Sequence, residues 1–520
     1  MGVPVLLYTS INSTKRRGSA SSTTPEPPWT MDLVTILISV VVILFLANAF
    51  KNKKHENYKN FPPGPKPLPI IGNIHLMDIR KPHKTFMELA KVYGPVFSIQ
   101  LGMSKSIILC GYDTLKDALV NHGELFAERP YTPLFSTTSK GNGIIFATGE
   151  NWKVMRRFTL STLRDYGMGK RTLEDKIVEE TEHLVKKLRS YEGKPFSDVT
   201  SIYSAVTNII VAILLNKRFD YKDPTILRLM GTVNENVRLL SSPWVMLYNC
   251  YPFLAKLLPG AHTKIFENVK EFYDFIKATF TEHKKELDVN DQRNLIDTFL
   301  AKQQEGKTES SQYYHNENLT TLVADLFGAG METTSTTLRW AILLMMKYPD
   351  IQEKVQNEIE RVIGSAQPQM EHRKQMPYTD AVIHEILRFG DIAPVGLPHS
   401  TPRDITFRGY FIPKGASIIT VVHSALRDKD YFEKPEDFYP EHFLDSNGNF
   451  KKNEAFIPFS IGKRSCAGET LAKMEIFLFF TSLLQNFTFR PPAGAKLDLT
   501  PDLGATNCPK SHEICAVPRR

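Results

Sequence analysis

Among the five cysteines of the chain, Cys466 stands in the setting best suited to chemistry. It lies in the run 455–475, AFIPFSIGKRSCAGETLAKME, a glycine-punctuated loop that passes straight into an apolar-periodic helix. A thiol is a strong ligand only as its thiolate. The N–H groups of a tight turn, the positive end of the following helix and Arg464 two residues away all favour that form. Gly462 and Gly468 let backbone approach a bound group closely where a Cβ would clash. Inert packing is the alternative for any single cysteine, and Cys466 taken alone does not exclude it.

Further residues carry chemical potential at fixed spacings. The run 324–337, ADLFGAGMETTSTT, interrupts a strongly helical stretch with glycine and small polar residues, although glycine costs about 1 kcal/mol relative to alanine there. Ala329 and Thr333 are four apart on one face, with Glu332 next door. The competing reading is that Gly330 merely admits a neighbouring helix. Glu385 and Arg388 are three apart in another helical run, a pairing worth little when exposed. His384-Glu385 is not a zinc-protease motif, since position 388 is arginine. Trp152 and Arg156 set an indole N–H and a guanidinium on one helical face, or else are a core tryptophan and a solvated arginine.

The spacing Phe459-x-x-Gly462-x-Arg464-x-Cys466-x-Gly468 resembles the haem-binding signature of the cytochrome P-450 superfamily at every position. Ala329-Gly330-x-Glu332-Thr333 resembles that family's oxygen-activation motif, and Glu385-x-x-Arg388 its structural Glu-x-x-Arg element. The family's Pro-Glu-Arg-Phe segment here reads Pro440-Glu441-His442-Phe443, so His442 replaces a permanent charge. The resemblance runs from residue 61 to the C-terminus and is nearest to the vertebrate microsomal family 2 enzymes.

That resemblance implies a mainly α fold with a small β region and a haem b (iron protoporphyrin IX) with Cys466 as the iron's fifth ligand. A thiolate there pushes electron density toward the opposite face and favours O–O cleavage. Thr333 and Glu332 become the proton relay. Trp152, Arg156, Arg129, His399 and Arg464 become partners of the haem carboxylates, with Ala329, Phe459, Gly462 and Gly468 against the cofactor. For Arg129 and His399 singly, ordinary loop roles compete equally. Phe327, Ala329, Thr333, Val395 and Leu397 fall by position in an apolar pocket for a small lipophilic substrate. The implied activity is NADPH- and O2-dependent hydroxylation or epoxidation of fatty acids, steroids or xenobiotics. A haem-thiolate isomerase or dehydratase and a non-catalytic haem protein are the rivals, separable by NADPH dependence.

No GxGxxG follows a predicted strand, so electrons come from outside the chain. The resemblance implies NADPH–cytochrome P-450 reductase, with cytochrome b5 as a second donor. Lys153, Arg157, Lys170, Arg171, Lys463 and Lys473 offer a basic docking face for such acidic partners, unless they are simply solvated.

These residues need a scaffold. Apolar positions at three- and four-residue intervals predict helices over 86–93, 112–121, 152–163, 174–188, 205–215, 319–347, 351–363, 379–389 and 467–484. Short β-like runs fall at 96–101, 106–110, 405–407, 410–412 and 417–422, predicting a small sheet assembled from distant segments. With 42% hydrophobic residues and no internal repeat, 70–520 reads as one large domain. The net charge of +8 is mild and no basic tract is interleaved with aromatics, which argues against nucleic-acid binding. Few, scattered and odd-numbered cysteines imply a reducing compartment.

Ahead of this domain, 33–50 is an uncharged apolar run about as long as the ~20 residues a membrane-spanning helix needs. Lysines at 51, 53, 54 and 59 follow it, so the positive-inside bias places the body in the cytosol. The expectation is a signal-anchor over 31–50 in the endoplasmic reticulum membrane, a cleaved signal peptide being the alternative. A basic and proline-rich linker is expected over 51–69 and a disordered extension over 1–30.

Overall fold

The computed structural model describes residues 59–306, 309–502 and 504–519, together with Ser39 and Val42. The chain forms two units, Met1–Lys54 and His55–Arg520, and the second carries every site residue considered above. Among the described residues no helix is long and apolar enough to cross a membrane. The expected extension and the anchor over 31–50 lie outside the described residues, save Ser39 and Val42, both helical.

The body is mainly helical. Its principal helices are α1 Pro82–Tyr93, α2 Gly149–Asp165, α3 Arg171–Arg189, α4 Val199–Leu215, α5 Pro224–Leu240, α6 Pro243–Cys250, α7 Ala261–Glu286, α8 Leu295–Glu305, α9 Asn316–Lys347, α10 Pro349–Val362, α11 Pro377–Gly390 and α12 Glu469–Asn486. The sequence pattern anticipated α1 to α4 and α9 to α12. It missed α5 to α8, although three of their starts are chemically marked: Asp223 and Ser242 cap α5 and α6 ahead of a proline at the first helical position, and the Asn294 side chain accepts from Asp297 N–H at the start of α8.

Helix α9 is the spine. Its 32 residues run roughly 48 Å at 1.5 Å per residue. Both α4 and α12 pack against it. A Cβ on Gly330 would sit 2.4 Å from Ile210 Cδ1 of α4, so the packing explanation of that glycine holds. Most of α4 and α12 is buried around their circumference, as helices enclosed on all sides must be.

Strands β1 Val96–Leu101, β2 Ser104–Leu109, β3 His399–Ser400 and β4 Ser417–Thr420 form one sheet in the order β1-β2-β4-β3. β2 pairs in parallel with β4, Ser106 opposite Ser417 through Leu109 opposite Thr420, joining segments about three hundred residues apart as expected. The expected hairpin of Ile405–Phe407 with Tyr410–Ile412 is present. A C-terminal sheet that the pattern missed pairs Glu513–Pro518 with Phe487–Arg490 and Phe196–Ser197.

The prolines of 61–69 are held to the body. Ser98 donates its N–H to Pro63 O at 2.7 Å and its hydroxyl to Pro62 O at 2.9 Å. Asn73 Nδ2 donates to Lys66 O at 3.0 Å.

Candidate active site

The cysteine loop is a closed turn. Cys466 N–H donates to Phe459 O at 3.0 Å and Ser465 N–H to Gly462 O at 3.2 Å. Gly462 has φ 79°, and a Cβ there would lie 1.8 Å from Leu119 O. Its glycine is therefore demanded by neighbouring protein backbone rather than by the approach of a cofactor. Gly468 has φ −96°, and its Cβ would make only ordinary contact, 4.0 Å from Cys466 Sγ.

Cys466 stands just ahead of α12 with its residue surface accessible, yet many protein atoms surround its thiol. Enclosure pushes this thiol up; the Gly468 N–H and the charge of Arg156 pull it down, and Glu469 pushes it further up. Burial thus opposes the groups that favour the thiolate, and a bound metal cation would add to those groups.

Helix α9 carries a second accessible feature. Apart from its two ends it is exposed only at Ala329 and Thr333, one turn apart in an otherwise buried helix. Thr333 Oγ1 donates to Ala329 O at 2.7 Å. Phe327, two residues and so about 200° away from Ala329, faces elsewhere: it is 4% exposed and packs on Phe272 with ring centroids 5.1 Å apart. It is a core residue, and its placement in the pocket is corrected. Val395 is partly buried against the cluster containing Phe86, Phe97 and Val421, whereas Leu397 is 47% exposed. Glu332 does not share the accessible stripe with Thr333. It is buried, accepting from Thr506 Oγ1 at 3.1 Å and Thr336 Oγ1 at 3.3 Å.

Asp325, one turn before Ala329, escaped the sequence reading. Its Oδ2 accepts from Ile144 N–H at 2.8 Å and Ile145 N–H at 3.0 Å, fastening the loop before α2 to α9. Gly143 makes room for it, since a Cβ would stand 2.3 Å from Oδ2. An acidic residue four positions before Ala329 was the available signal.

A cationic cluster lies beside the cysteine loop. Arg464 donates to Ala127 O and Ala147 O, both at 2.7 Å, and its guanidinium carbon sits 3.8 Å from the centroid of the Trp152 ring. Arg129 donates to Pro398 O at 2.7 Å and Ile145 O at 3.0 Å. Arg156 donates to Ser465 O at 2.8 Å, and His399 Nδ1 to Phe126 O at 2.7 Å. All three arginines bond to carbonyls or the Ser465 hydroxyl, and none has an ion pair among the described residues. Burial and then mutual repulsion lower Arg129 to about 10 and Arg464 to about 9. Burial and then Arg129 lower His399 to about 3. The buried Trp152 Nε1 has no acceptor.

Gathered cations without an ion pair, the negative charge acting on Arg464 being Glu128, and an indole N–H without an acceptor fit a ligand bearing carboxylates. An accessible thiol held in a tight turn fits a metal. Both requirements are met by haem.

The cytochrome P450 family model matches residues 62–516. The chain belongs to the cytochrome P450 family. This cytochrome P450 is 47% identical to Cytochrome P450 2C5 of Oryctolagus cuniculus over 491 residues, 94% of this chain and 100% of the relative. It is 46% identical to Cytochrome P450 2C25 of Mesocricetus auratus with the same coverage. Cytochrome P450 2K4 of Oncorhynchus mykiss is also 46% identical, over 94% of this chain and 98% of the relative. The protein is thus a haem-dependent P450 monooxygenase resembling family 2 members.

Below the cysteine loop the cytochrome P450 is braced by Glu385 and Arg388, both fully buried. The sequence left open an exposed and weak pair; the structure makes it the centre of a network that includes Tyr439 N–H, 2.8 Å from Glu385 Oε1, and His442 Nδ1, 3.2 Å from Oε2. Of the basic residues expected to dock partners, Lys153, Lys463 and Lys473 already pair with Glu150, Glu124 and Glu469. Arg157, Lys170 and Arg171 are exposed without an ion pair among the described residues.

Proposed function

We propose that the protein is an NADPH- and O2-dependent monooxygenase that hydroxylates or epoxidises small lipophilic compounds such as fatty acids, steroids or xenobiotics. The supporting observation is the placement of an accessible Cys466 thiol in a tight turn next to arginines that have no ion pair among the described residues. When bound, the haem iron supplies the reductive activation of dioxygen for insertion into a C–H bond or alkene.

The residues of the chain orient and protonate. Cys466 holds the metal, and the Phe459–Cys466 hydrogen bond fixes its direction. Arg129, Arg156, Arg464, His399 and Trp152 neutralise and seat the carboxylates, which would also lift His399 from its depressed value. Ala329 gives a flat apolar floor to the substrate side, and Thr333 Oγ1, now bonded to its own helix, presents a hydroxyl that can hand on a proton at the accessible stripe. Glu332 is the acid behind it. Electrons are supplied by NADPH–cytochrome P-450 reductase, with cytochrome b5 as a second donor, at the face carrying Arg157, Lys170 and Arg171. The apolar run 33–50 anchors the enzyme in the endoplasmic reticulum membrane with the body in the cytosol.

The deciding experiment is the absorption spectrum of the reduced, carbon-monoxide-bound protein before and after Cys466→His. A strongly red-shifted band that disappears in the variant is expected. The same band in both proteins would refute Cys466 as the ligand.

A further inference from the structure

The four cysteines outside the haem loop differ in their surroundings. Cys110 is buried, whereas Cys250, Cys508 and Cys515 are half-buried. Burial pushes the Cys110 and Cys250 thiols up, to about 12 and about 11, and at Cys515 the Glu513 carboxylate adds to the upward push of burial. Of these four, Cys508 is the one with a cation acting on it, Arg339. Arg339 Nη1 donates to Cys508 Sγ at 3.1 Å, and Thr336 Oγ1 donates to the same sulfur at 3.8 Å. The Tyr203 hydroxyl, 3.3 Å from Thr336 Oγ1, also favours the thiolate. Burial, the largest influence, and the Glu332 carboxylate oppose these donors and keep the thiol above its ordinary value. Even so, a half-exposed sulfur beside a guanidinium is the setting in which a cysteine reacts, and its half-buried peers lack that guanidinium.

The guanidinium has a donor to spare. Arg339 is 3% exposed, with Nε 3.3 Å from each Asp198 oxygen and Nη1 on the sulfur, but its Nη2 has no acceptor. A buried donor without a partner is destabilising, and Nη1 and Nη2 lie side by side on one planar fork. An oxygen added to Cys508 Sγ would give that fork a second acceptor. The sulfur also sits where movement matters. Cys508 belongs to the hairpin of Pro501–Asp502 with Cys508–Pro509, which packs on α9. The neighbouring Asn507 accepts from Trp340 Nε1 of α9 at 2.8 Å and donates its N–H to Ile392 O at 2.9 Å. Toward the tip, Ala505 N–H donates to Val237 O of α5 at 3.0 Å. A change in volume at Cys508 is therefore transmitted to both helices.

We propose that Cys508 is a peroxide-sensitive modification site, at which the sulfenic acid formed is held by the Arg339 fork and reversibly slows turnover by shifting the hairpin. The thiolate sulfur attacks one oxygen of hydrogen peroxide; the S–O bond forms as the O–O bond breaks, and the departing hydroxide takes up the thiol's proton to leave as water. Sulfur loses two electrons and the peroxide gains them. A small thiol reverses the change, first displacing water to form a mixed disulfide and then, as a second molecule, releasing the Cys508 thiol. The oxidant is the hydrogen peroxide that a monooxygenase releases when turnover is uncoupled from insertion, so the control of turnover rests on the monooxygenase reading, whereas the modification itself does not.

The test exposes the haem-loaded full chain to hydrogen peroxide, traps sulfenic acid with dimedone and reads the adducts by peptide mass spectrometry. Cys508 should be labelled roughly tenfold faster than Cys250 and Cys515, the half-buried controls within the same molecule. Arg339→Gln and the milder Thr336→Val should both narrow that ratio. Product formation by the wild type should fall as labelling at Cys508 grows and return with dithiothreitol, while Cys508→Ser keeps its turnover under the same exposure. Equal labelling of the three cysteines would overturn the site. A loss of turnover equal in wild type and Cys508→Ser, and not restored by dithiothreitol, would overturn its control of the enzyme. A wild-type protein lacking the red-shifted carbon-monoxide band would sink the monooxygenase reading without touching the labelling ratio, so the failures are distinguishable.

Discussion

The Arg388 guanidinium grips the Glu385 carboxylate through two hydrogen bonds, Nε to Oε2 at 2.7 Å and Nη2 to Oε1 at 2.6 Å, with neither side chain accessible. The arginine also donates to Leu426 O at 2.9 Å and to Pro435 O and Asp437 O at 2.7 Å. One buried ion pair thus ties α11 to the segments that lead into the cysteine loop.

Arg388→Lys replaces a planar fork with a point charge that reaches few of these acceptors. The expected loss is about 3–5 kcal/mol, typical of breaking a buried pair. Urea denaturation and haem content after expression measure it; a stable, fully loaded variant would show the pair to be dispensable.

His442 replaces the usual arginine with a ring whose tautomer is set on both sides. Its Nε2 accepts from Lys434 N–H at 3.1 Å, so Nδ1 carries the proton donated to Glu385 Oε2. His442→Ala strands one buried acceptor and a backbone donor, with an expected cost of about 1–3 kcal/mol. A double-mutant cycle with Glu385→Gln should return a coupling well above zero.

Gly462→Ala adds a methyl where Leu119 O already stands, at a φ that disfavours alanine. The turn must open and move Cys466. Loss of most of the haem is expected, read as the ratio of Soret to protein absorbance, whereas Gly468→Ala, free of both problems inside the protein, is expected to retain more.

Burial raises two carboxyls, Asp325 to about 7 and Glu475 to about 8. A carboxyl raised on folding contributes stability that is fully present below its unfolded value near ~4 and is lost as pH climbs through the folded value. Asp325→Asn and Glu475→Gln remove that loss. Each variant should gain roughly 1–4 kcal/mol on the wild type between pH 4 and pH 8. Unfolding midpoints at pH 5 and pH 8 test it, and a gain that shrinks with rising pH would contradict the assignment.

On the basic face, Arg157 and Lys170 are uncompensated whereas Lys153 is paired with Glu150 at 2.5 Å. Arg157→Glu should slow reductase-supported turnover more than Lys153→Glu, with peroxide-supported turnover preserved in both. Raising ionic strength should narrow the gap. Equal loss of peroxide-supported turnover would point to damage rather than docking.

Much of the chemistry was legible because it depends on local spacing. Phe459, Gly462, Arg464, Cys466 and Gly468 lie within one turn of chain, so their relative placement is a property of the loop itself. Helices α10 and α11 carry one-sided apolar stripes, whereas α9 and α12 are long runs that are apolar nearly all round. Helices α5 to α8 were missed although α5 and α7 bury one face, and Asp223, Ser242 and Asn294 cap α5, α6 and α8.

What only the tertiary structure decided is which way each side chain faces and what meets it there. Spacing put Phe327, Glu332 and Thr333 on one helix, but the walls around α9 determine that Thr333 is accessible, Phe327 is core and Glu332 has its own polar cluster. Sequence named Arg129, Arg156 and Arg464 separately, and the fold gathered all three in one place without an ion pair among the described residues. Burial, partner and counter-charge arise from segments up to hundreds of residues apart, such as β2 against β4, and no local rule of spacing encodes them.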